Sequence, residues 1–170
     1  MNNLTNIQKQ LLNLLESTNE NVVLETIEQL REQGGDFAVL PLMNKFFSSN
    51  NSKIRKSIGK LFSDTKSKKI APIITDNILK FEKSEYLKDF LNFLWESRII
   101  FEDLSCFSTL LVSNNVQVAI ESSSIIDENI NNISDANRLK CLKIINLGIK
   151  NIKEDFHIQL IELTKQSLQP

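Results

Sequence analysis

The sequence predicts an all-α fold, and three observations lead to that prediction. Glycine and proline are scarce among the 170 residues, with four and three copies, whereas strand-rich domains need many turns built from them. Apolar residues instead recur at the i, i+3, i+4 and i+7 spacing of one helix face. Polar clusters rich in Asn and Ser separate these stripes at short intervals. We therefore expect short helices of about 12–16 residues joined by tight connections.

Each polar cluster supplies a helix start. Asn19 and Asn51 precede apolar stripes, and the side-chain oxygen of such a residue accepts hydrogen bonds from the free amides of the first helical turn. Ser84 precedes a further stripe in the same way. The pair Gly34-Gly35 follows a stripe and is typical of a helix C-terminus.

The stripes and their boundaries place ten helices in five antiparallel pairs. The two helices of each pair have these predicted ranges: 4–16 with 20–33, 37–49 with 52–65, 70–82 with 85–97, 102–113 with 116–130, and 137–151 with 154–168. All of them belong to one predicted domain, residues 1–170. A single pair cannot bury its apolar stripe alone, whereas stacked pairs bury a continuous core.

The stripes also repeat along the chain. A shift of 31 residues places Val23 on Ile54 and Pro41 on Pro72, and eight positions in this alignment match in residue type. Further shifts of 33 and 31 carry the stripe through the next two units. A period of this length with two helices per period is typical of an α-solenoid.

Two consecutive motifs carry a family signature: KIRKSIGKLF at 53–62 and IAPII at 70–74. Together they resemble a HEAT repeat of the short, phycobilisome-lyase-like kind, with Ile54-Arg55 in place of its Val-Arg. The resemblance covers residues 19–82 clearly and 83–130 less clearly, and the chain has Ile and Asn where the family favours Ala and Gly.

This resemblance implies a right-handed superhelix of about five helix pairs, whose second helices line the concave surface. It also implies that Arg55 pairs with an acidic residue of a neighbouring unit and stabilises the stack. A non-repeating helical bundle is the alternative fold. The glycine at position 59 lies within a helical stripe, which indicates close approach of a neighbouring helix.

The charge is segregated along a chain whose net charge is only −1. Four consecutive blocks have net charges of −3, +5, −6 and +3: residues 1–35, 36–100, 101–136 and 137–170. In the basic block, Lys53, Lys56 and Lys60 follow an i, i+3, i+7 spacing and share one predicted helix face. We interpret them as candidate partner-binding residues, with a merely solvated helix face as the alternative.

Trp95 is the fourth candidate for partner binding. Leu94 already occupies the core stripe of its helix, so either Phe93 or Trp95 faces a groove or an adjacent helix pair. An exposed tryptophan is a typical interface anchor, and a core position for Trp95 is the alternative.

No constellation in the sequence predicts catalysis, a cofactor or a metal site. The only histidine is His157, which we expect at the surface or partly buried, and its Glu-x-x-His spacing occurs once where di-iron bundles need two copies. The run of three serines at 122–124 lacks a nearby base, so we expect these small residues to permit close helix packing. Cys106 and Cys141 are expected to be reduced core thiols.

The sequence therefore predicts a non-enzymatic scaffold or adaptor that binds a partner protein or peptide on its concave second-helix face. The absence of a predicted leader in residues 1–7, and of any apolar run near about 20 residues, points to the cytoplasm and away from a membrane. A homodimer through the C-terminal helix pair is also expected.

Two other functions follow from the resemblance. The first is DNA binding, as in HEAT-like proteins of the alkylpurine-glycosylase type; the second is a relation to chromophore lyases. Balanced total charge and the acidic block at 101–136 make nucleic acid the less favoured partner.

Overall fold

A computed structural model describes residues 4–169, and within that range the fold is all-helical, as predicted, with ten α-helices and no strand. Residues 1–3 of the segment considered for a leader lie outside this range. The helices have these bounds: α1 Asn6–Leu15, α2 Glu20–Gln33, α3 Val39–Ser48, α4 Ser52–Asp64, α5 Ile70–Asn77, α6 Leu87–Trp95, α7 Ser105–Leu111, α8 Val116–Asn129, α9 Asp135–Gly148 and α10 Asp155–Ser167.

The predicted asparagine caps hold several helix starts. The Oδ1 atoms of Asn19 and Asn51 accept from the backbone amides two residues further on, at 3.0 and 2.9 Å. Asn115 caps α8 in the same way, at 3.1 Å. Gly34 ends α2 with a φ of 62°, a conformation that favours glycine. These local signals explain why the predicted and observed helices agree in number and order.

Five helices begin later than the sequence predicts, and for α6 and α7 the structure shows the cause. α6 starts at Leu87 rather than at 85, because Ser84 accepts from an amide of the preceding turn and does not cap the helix. α7 starts at Ser105 rather than at 102, because the chain before it is held in a loop. In that loop the Phe101 amide donates to the buried Oδ1 of Asn129 at 2.9 Å. Both differences arise from contacts that a helical pattern does not contain.

The helices pack in two series, the odd helices (α1, α3, α5, α7, α9) and the even helices (α2, α4, α6, α8, α10). Each even helix contacts the next even helix, and from α3 onward each odd helix contacts the next odd helix. The two series meet at α1–α2, α3–α4, α7–α8 and α9–α10. The core lies between the series, so one side of each even helix is left open to solvent.

We call that open side the even-helix surface. Its exposed residues include, in chain order, Asn21, Glu25, Glu28, Glu32, Lys53, Lys56, Lys60, Asp64, Asp89, Trp95, Glu96, Gln117, Ile120, Asp127, Glu128, Phe156, Gln159, Leu163 and Ser167.

A cluster of phenylalanine rings joins α3, α4 and α6. Phe46, Phe62 and Phe90 are buried, and Phe47 is half-buried. The centroid of the Phe90 ring lies 5.0 Å from that of Phe46 and 5.1 Å from that of Phe62. Tilted and edge-on rings at these distances are favourable beyond their burial. The cluster therefore fixes how α6 lies against α3 and α4.

Gly59 marks a close approach of α4 to α6, which confirms the prediction from its place in the stripe. A Cβ atom at this position would lie 2.6 Å from Cγ of Phe93, closer than real Cβ contacts. Beside it, the Ser63 hydroxyl donates to the Gly59 carbonyl at 3.2 Å and lies 3.3 Å from the Phe93 carbonyl. The absent side chain is what lets the Phe93 ring lie on the backbone of α4.

Arg55 joins neighbouring helices, but the expected pairing with an acidic residue is wrong. Its Nη1 donates to the Ser49 carbonyl at 2.7 Å, and its guanidinium lies 3.8 Å above the Tyr86 ring. Tyr86 precedes α6, so the contact reaches the next even helix, as a stacking role requires. The face of an aromatic ring attracts a cation although the ring itself carries no formal charge.

Both cysteines are free and buried, as predicted. Burial raises the pKa of the Cys106 thiol to about 12 and also raises the pKa of Cys141. A thiol in this state is neutral at physiological pH and reacts poorly, because the thiolate is the nucleophile.

Candidate partner-binding surface

The three predicted lysines lie together on the even-helix surface. Lys53, Lys56 and Lys60 are all exposed on α4, whereas Ile54 and Ile58 on its other side are buried. The capping of α4 by the residue at 51 fixes where the helix starts and therefore which side each lysine occupies. The predicted common face is therefore present.

The lysines differ in how they are neutralised. Nζ of Lys53 lies 3.4 Å from Oε1 of Glu20 on α2. Among residues 4–169, neither Lys56 nor Lys60 has a carboxylate oxygen within 4.0 Å of its ammonium group. These two lysines therefore present the open positive charge of α4, and Lys53 is already engaged within the fold.

Ion pairs between α2 and α4 neutralise both ends of this helix contact. Besides Glu20 and Lys53, Nη1 of Arg31 lies 2.6 Å from Oδ2 of Asp64, and Nε of Arg31 lies 3.0 Å from Oε2 of Glu28. All of these groups are partly exposed, so each pair is worth little in stability. Their effect is to hold side chains in place beside the open lysines.

The even-helix surface on α2 is acidic. Its exposed residues include three glutamates: Glu25, Glu28 and Glu32. Between α2 and α4, a shallow depression is lined by Leu24, Glu25, Glu28, Gln29 and Ser57. The lysines of α4 therefore have negative charge on one side.

Acidic groups lie on the other side of the lysines as well. Asp89 and Glu96 are exposed on α6. On α8, desolvation raises the pKa of Glu121, while the Lys88 charge and a hydrogen bond from Asn92 act in the opposite direction. Asp89 and Glu96 raise the pKa of Glu121 further, so several carboxylates share this region. The contact between α6 and α8 is therefore mainly negative.

Trp95 is on the surface: 47% of its area is exposed. Phe93, the other residue that the sequence left open, packs against Gly59 instead. Lys88, Asn92 and Trp95 follow an i, i+4, i+7 spacing, and the first two meet α8 at Glu121. Trp95 thus lies on the side of α6 that faces α8, at the last helical turn, and its ring is accessible.

The sequence prediction assigned no apolar residue of α8 or α10 to partner binding, and it interpreted the apolar arc of the last helix as a homodimer contact. Ile120 on α8 is 38% exposed, and Phe156 and Leu163 on α10 are 58% and 62% exposed. The signal was the wide apolar arc of α10, which also carries Ile161 and Leu168 on its buried side. A helix that is apolar on more than one side has more than one packing surface.

The sequence predicted His157 to lie at the surface or to be partly buried. This prediction is wrong, because only 2% of its area is exposed. Its Nε2 atom lies 2.8 Å from the carbonyl oxygen of Leu111, at the end of α7. The ring therefore satisfies a helix end and faces no nucleophile. Of the three serines, Ser123 is buried and its Oγ lies 2.7 Å from Oγ1 of Thr164 on α10, which agrees with the predicted helix contact.

The described residues contain neither a metal-binding cluster nor a membrane-spanning helix. Within 4–169, no three His, Cys, Asp or Glu side chains are arranged to hold a metal ion. None of the described helices is both long and apolar enough to cross a membrane.

No family model, curated protein or solved structure matches this chain.

Proposed function

We propose that this chain is a non-enzymatic scaffold or adaptor of the cytoplasm, which binds a partner protein or peptide on the even-helix surface. In this proposal the ten helices form a right-handed solenoid of five HEAT-like pairs, and the even helices line its concave side. The order of helix contacts supports it, because each even helix contacts the even helices before and after it. Stacked repeats contact their neighbours in this way.

One observation carries the proposal. Lys56 and Lys60 are open cations on α4, and the helices beside them, α2 and α6, expose carboxylates. A surface with alternating charge selects a partner by complementarity, which sets specificity and the rate of encounter. A long polyanion would meet repulsion on both sides of α4, whereas a protein segment of mixed charge would not.

The test is affinity capture from a lysate of the source cell, treated with nuclease. Lys56→Glu with Lys60→Glu should remove a stoichiometric protein partner that the unchanged chain retains. The matched control is Lys143→Glu with Lys150→Glu, which makes the same change in net charge on exposed residues of α9 and the turn after it.

Equal capture by all three proteins would contradict the assignment of the surface. Recovery of nucleic acid alone, and only without nuclease, would favour the DNA-binding alternative. Circular dichroism of each variant establishes that the helical fold is unchanged.

The expected homodimer involves the C-terminal pair α9 and α10, and α10 also contributes to the even-helix surface. Leu139 and Leu147 of α9 are 67% and 60% exposed, which leaves apolar area for such a contact. Light scattering over a range of concentrations tests it, and a monomer at high concentration would reject the dimer.

A further inference from the structure

The end of the even-helix surface exposes two large apolar side chains among polar residues. On α10, Phe156 and Leu163 are exposed, and Leu160 between them is half-buried. The i, i+4, i+7 spacing places the three residues along one side of the helix. The buried residues His157 and Ile161 follow a different side, which faces the core. Leu160 packs against the core, whereas Phe156 and Leu163 leave more than half of their area exposed.

Contacts between α8 and α10 extend this stripe to a patch. The Ser123 and Thr164 hydroxyl oxygens are 2.7 Å apart, which fixes the two helices at that level. Leu163 is the residue next to Thr164, and Ile120 lies about one turn before Ser123 and is 38% exposed. We call Ile120, Phe156 and Leu163 the apolar end of the even-helix surface.

The region between the lysines and the apolar end is negative. Asp89 and Glu96 are exposed on α6, and Asp127 and Glu128 on α8. The only cation close to them among the described ion pairs is Lys88, 3.5 Å from Asp89. Residues 101–136 contain no lysine or arginine at all. A segment crossing this region needs basic side chains to offset the carboxylates.

The spacing of the helices sets the length of that segment. α4, α6, α8 and α10 contact one another in succession, so three helix-to-helix steps separate the open lysines from the apolar end. Packed helices are about 8–10 Å apart, which makes the distance about 24–30 Å. An extended chain advances about 3.3 Å per residue, so about 7–9 residues bridge it.

From this order of charge and apolar area we infer that the partner segment is bipartite. It carries an acidic cluster that contacts Lys56 and Lys60, then about eight residues with basic side chains over α6 and α8, then apolar side chains that contact Phe156 and Leu163. This inference rests on the proposed function, since it assigns the partner chemistry of the same surface.

The test uses synthetic peptides and the full chain. Each peptide has three glutamates at one end and a Phe-Leu pair at the other. The spacer between them is two or eight residues long and is built from glycine, serine and lysine. The two halves alone are the reference peptides. Binding is measured by fluorescence anisotropy against the unchanged protein, Lys56→Glu with Lys60→Glu, and Phe156→Ser with Leu163→Ser. The matched control is Ile7→Ser with Leu79→Ser, exposed apolar residues of α1 and of the turn after α5 that belong to neither proposed contact.

The eight-residue spacer should give a Kd at least about tenfold lower than either half, because the second contact becomes intramolecular. The two-residue spacer cannot reach both sites and should bind like one half. Each even-helix variant should return the long peptide to the affinity of a half, and the control at Ile7 and Leu79 should not. Because the substituted side chains are exposed, unchanged melting temperatures should accompany these losses.

Three results would overturn the inference: no binding to the unchanged chain, equal affinity for both spacers, or no effect of the Phe156 and Leu163 substitutions. Failure here remains distinguishable from failure of the proposed function. If natural partner capture depends on Lys56 and Lys60 but not on Phe156 and Leu163, the scaffold stands and the bipartite partner is wrong. If it depends on neither pair, both are wrong.

Discussion

Replacing Gly59 by alanine tests the closest helix contact in the fold. An alanine in a helix interior is favoured over glycine by about 1 kcal/mol. Here the added Cβ would lie 2.6 Å from Cγ of Phe93, so the phenylalanine ring must leave its position. Forcing an extra carbon into a packed contact costs about 1–3 kcal/mol.

The cost of displacing the Phe93 ring should exceed the gain in helix propensity, because the displaced ring has little room to move. Phe93 packs edge-on against Phe46, with ring centroids 6.3 Å apart, and Phe46 itself is fully buried. We expect Gly59→Ala to lower the free energy of unfolding by about 0.5–2 kcal/mol. For a domain of this size, that lowers the melting temperature by roughly 1–8 °C.

Urea unfolding followed by circular dichroism measures this change. A double-mutant cycle with Phe93→Leu supplies the control, because the smaller side chain leaves space for the new Cβ. In the Phe93→Leu background, Gly59→Ala should become neutral or stabilising. If Gly59→Ala stabilises the unchanged chain, helix propensity alone decides, and the argument from close approach is refuted.

Three further predictions concern single groups. Cys106 and Cys141 should not react with a thiol reagent at pH 8 until denaturant is added, because burial raises both pKa values, that of Cys106 to about 12; rapid labelling of the native chain would contradict this. Asp127→Asn should stabilise the chain at pH 7 by about 0.3–1 kcal/mol, since Asp127 is a negative charge near the C-terminal end of α8 and desolvation raises its pKa. The ionised carboxylate of Asp127 lowers the stability of the chain above its folded-state pKa, and this effect is lost below the unfolded-state pKa near 3.9. The stability gained by Asp127→Asn should therefore vanish in melts below about pH 4. Arg55→Ala should lower the free energy of unfolding in urea by about 1–3 kcal/mol, because it removes the hydrogen bond to the Ser49 carbonyl and the contact with the Tyr86 ring. An unchanged free energy of unfolding would reject the stacking role of Arg55.

Helix number and order could be predicted because they depend on local signals. Asn51 and the buried stripe of Ile54 and Ile58 are close in sequence, so a helical period and a cap suffice to place α4. The late start of α7 could not be predicted in this way. It depends on the hydrogen bond from the Phe101 amide to Asn129, two residues that are far apart in sequence and meet only after α8 has packed.

The candidate site shows the same division. The common face of Lys53, Lys56 and Lys60 follows from helical spacing alone. The ion pair of Lys53 with Glu20 depends on the packing of α4 against α2, and it divides the predicted set into one engaged lysine and two open ones. A search for opposite charges at about one repeat period could have found it, since Arg31 and Asp64 have the same separation.

Buried polar groups were harder to predict because their partners are backbone atoms or rings. The carbonyl of Leu111, which meets His157, carries no signal in a sequence. The Tyr86 ring, which meets Arg55, resembles any other aromatic residue near a helix start. For both residues the sequence analysis singled out the side chain but predicted the wrong surroundings. A guanidinium or an imidazole nitrogen can make its hydrogen bonds to groups that carry no charge.

The placement of the exposed apolar residues matters more than their number. Single apolar side chains on a surface are common and need no explanation. Among the described residues, Trp95, Ile120, Phe156 and Leu163 lie on consecutive even helices, and the other four large apolar residues that are exposed lie elsewhere: Ile7, Leu79, Leu139 and Leu147. Trp95 and Ile120 bury more than half of their area within the fold, so their apolar character has a folding role as well. Phe156 and Leu163 are mostly exposed, and the partner segment proposed above would account for these two positions on the same surface as the open lysines.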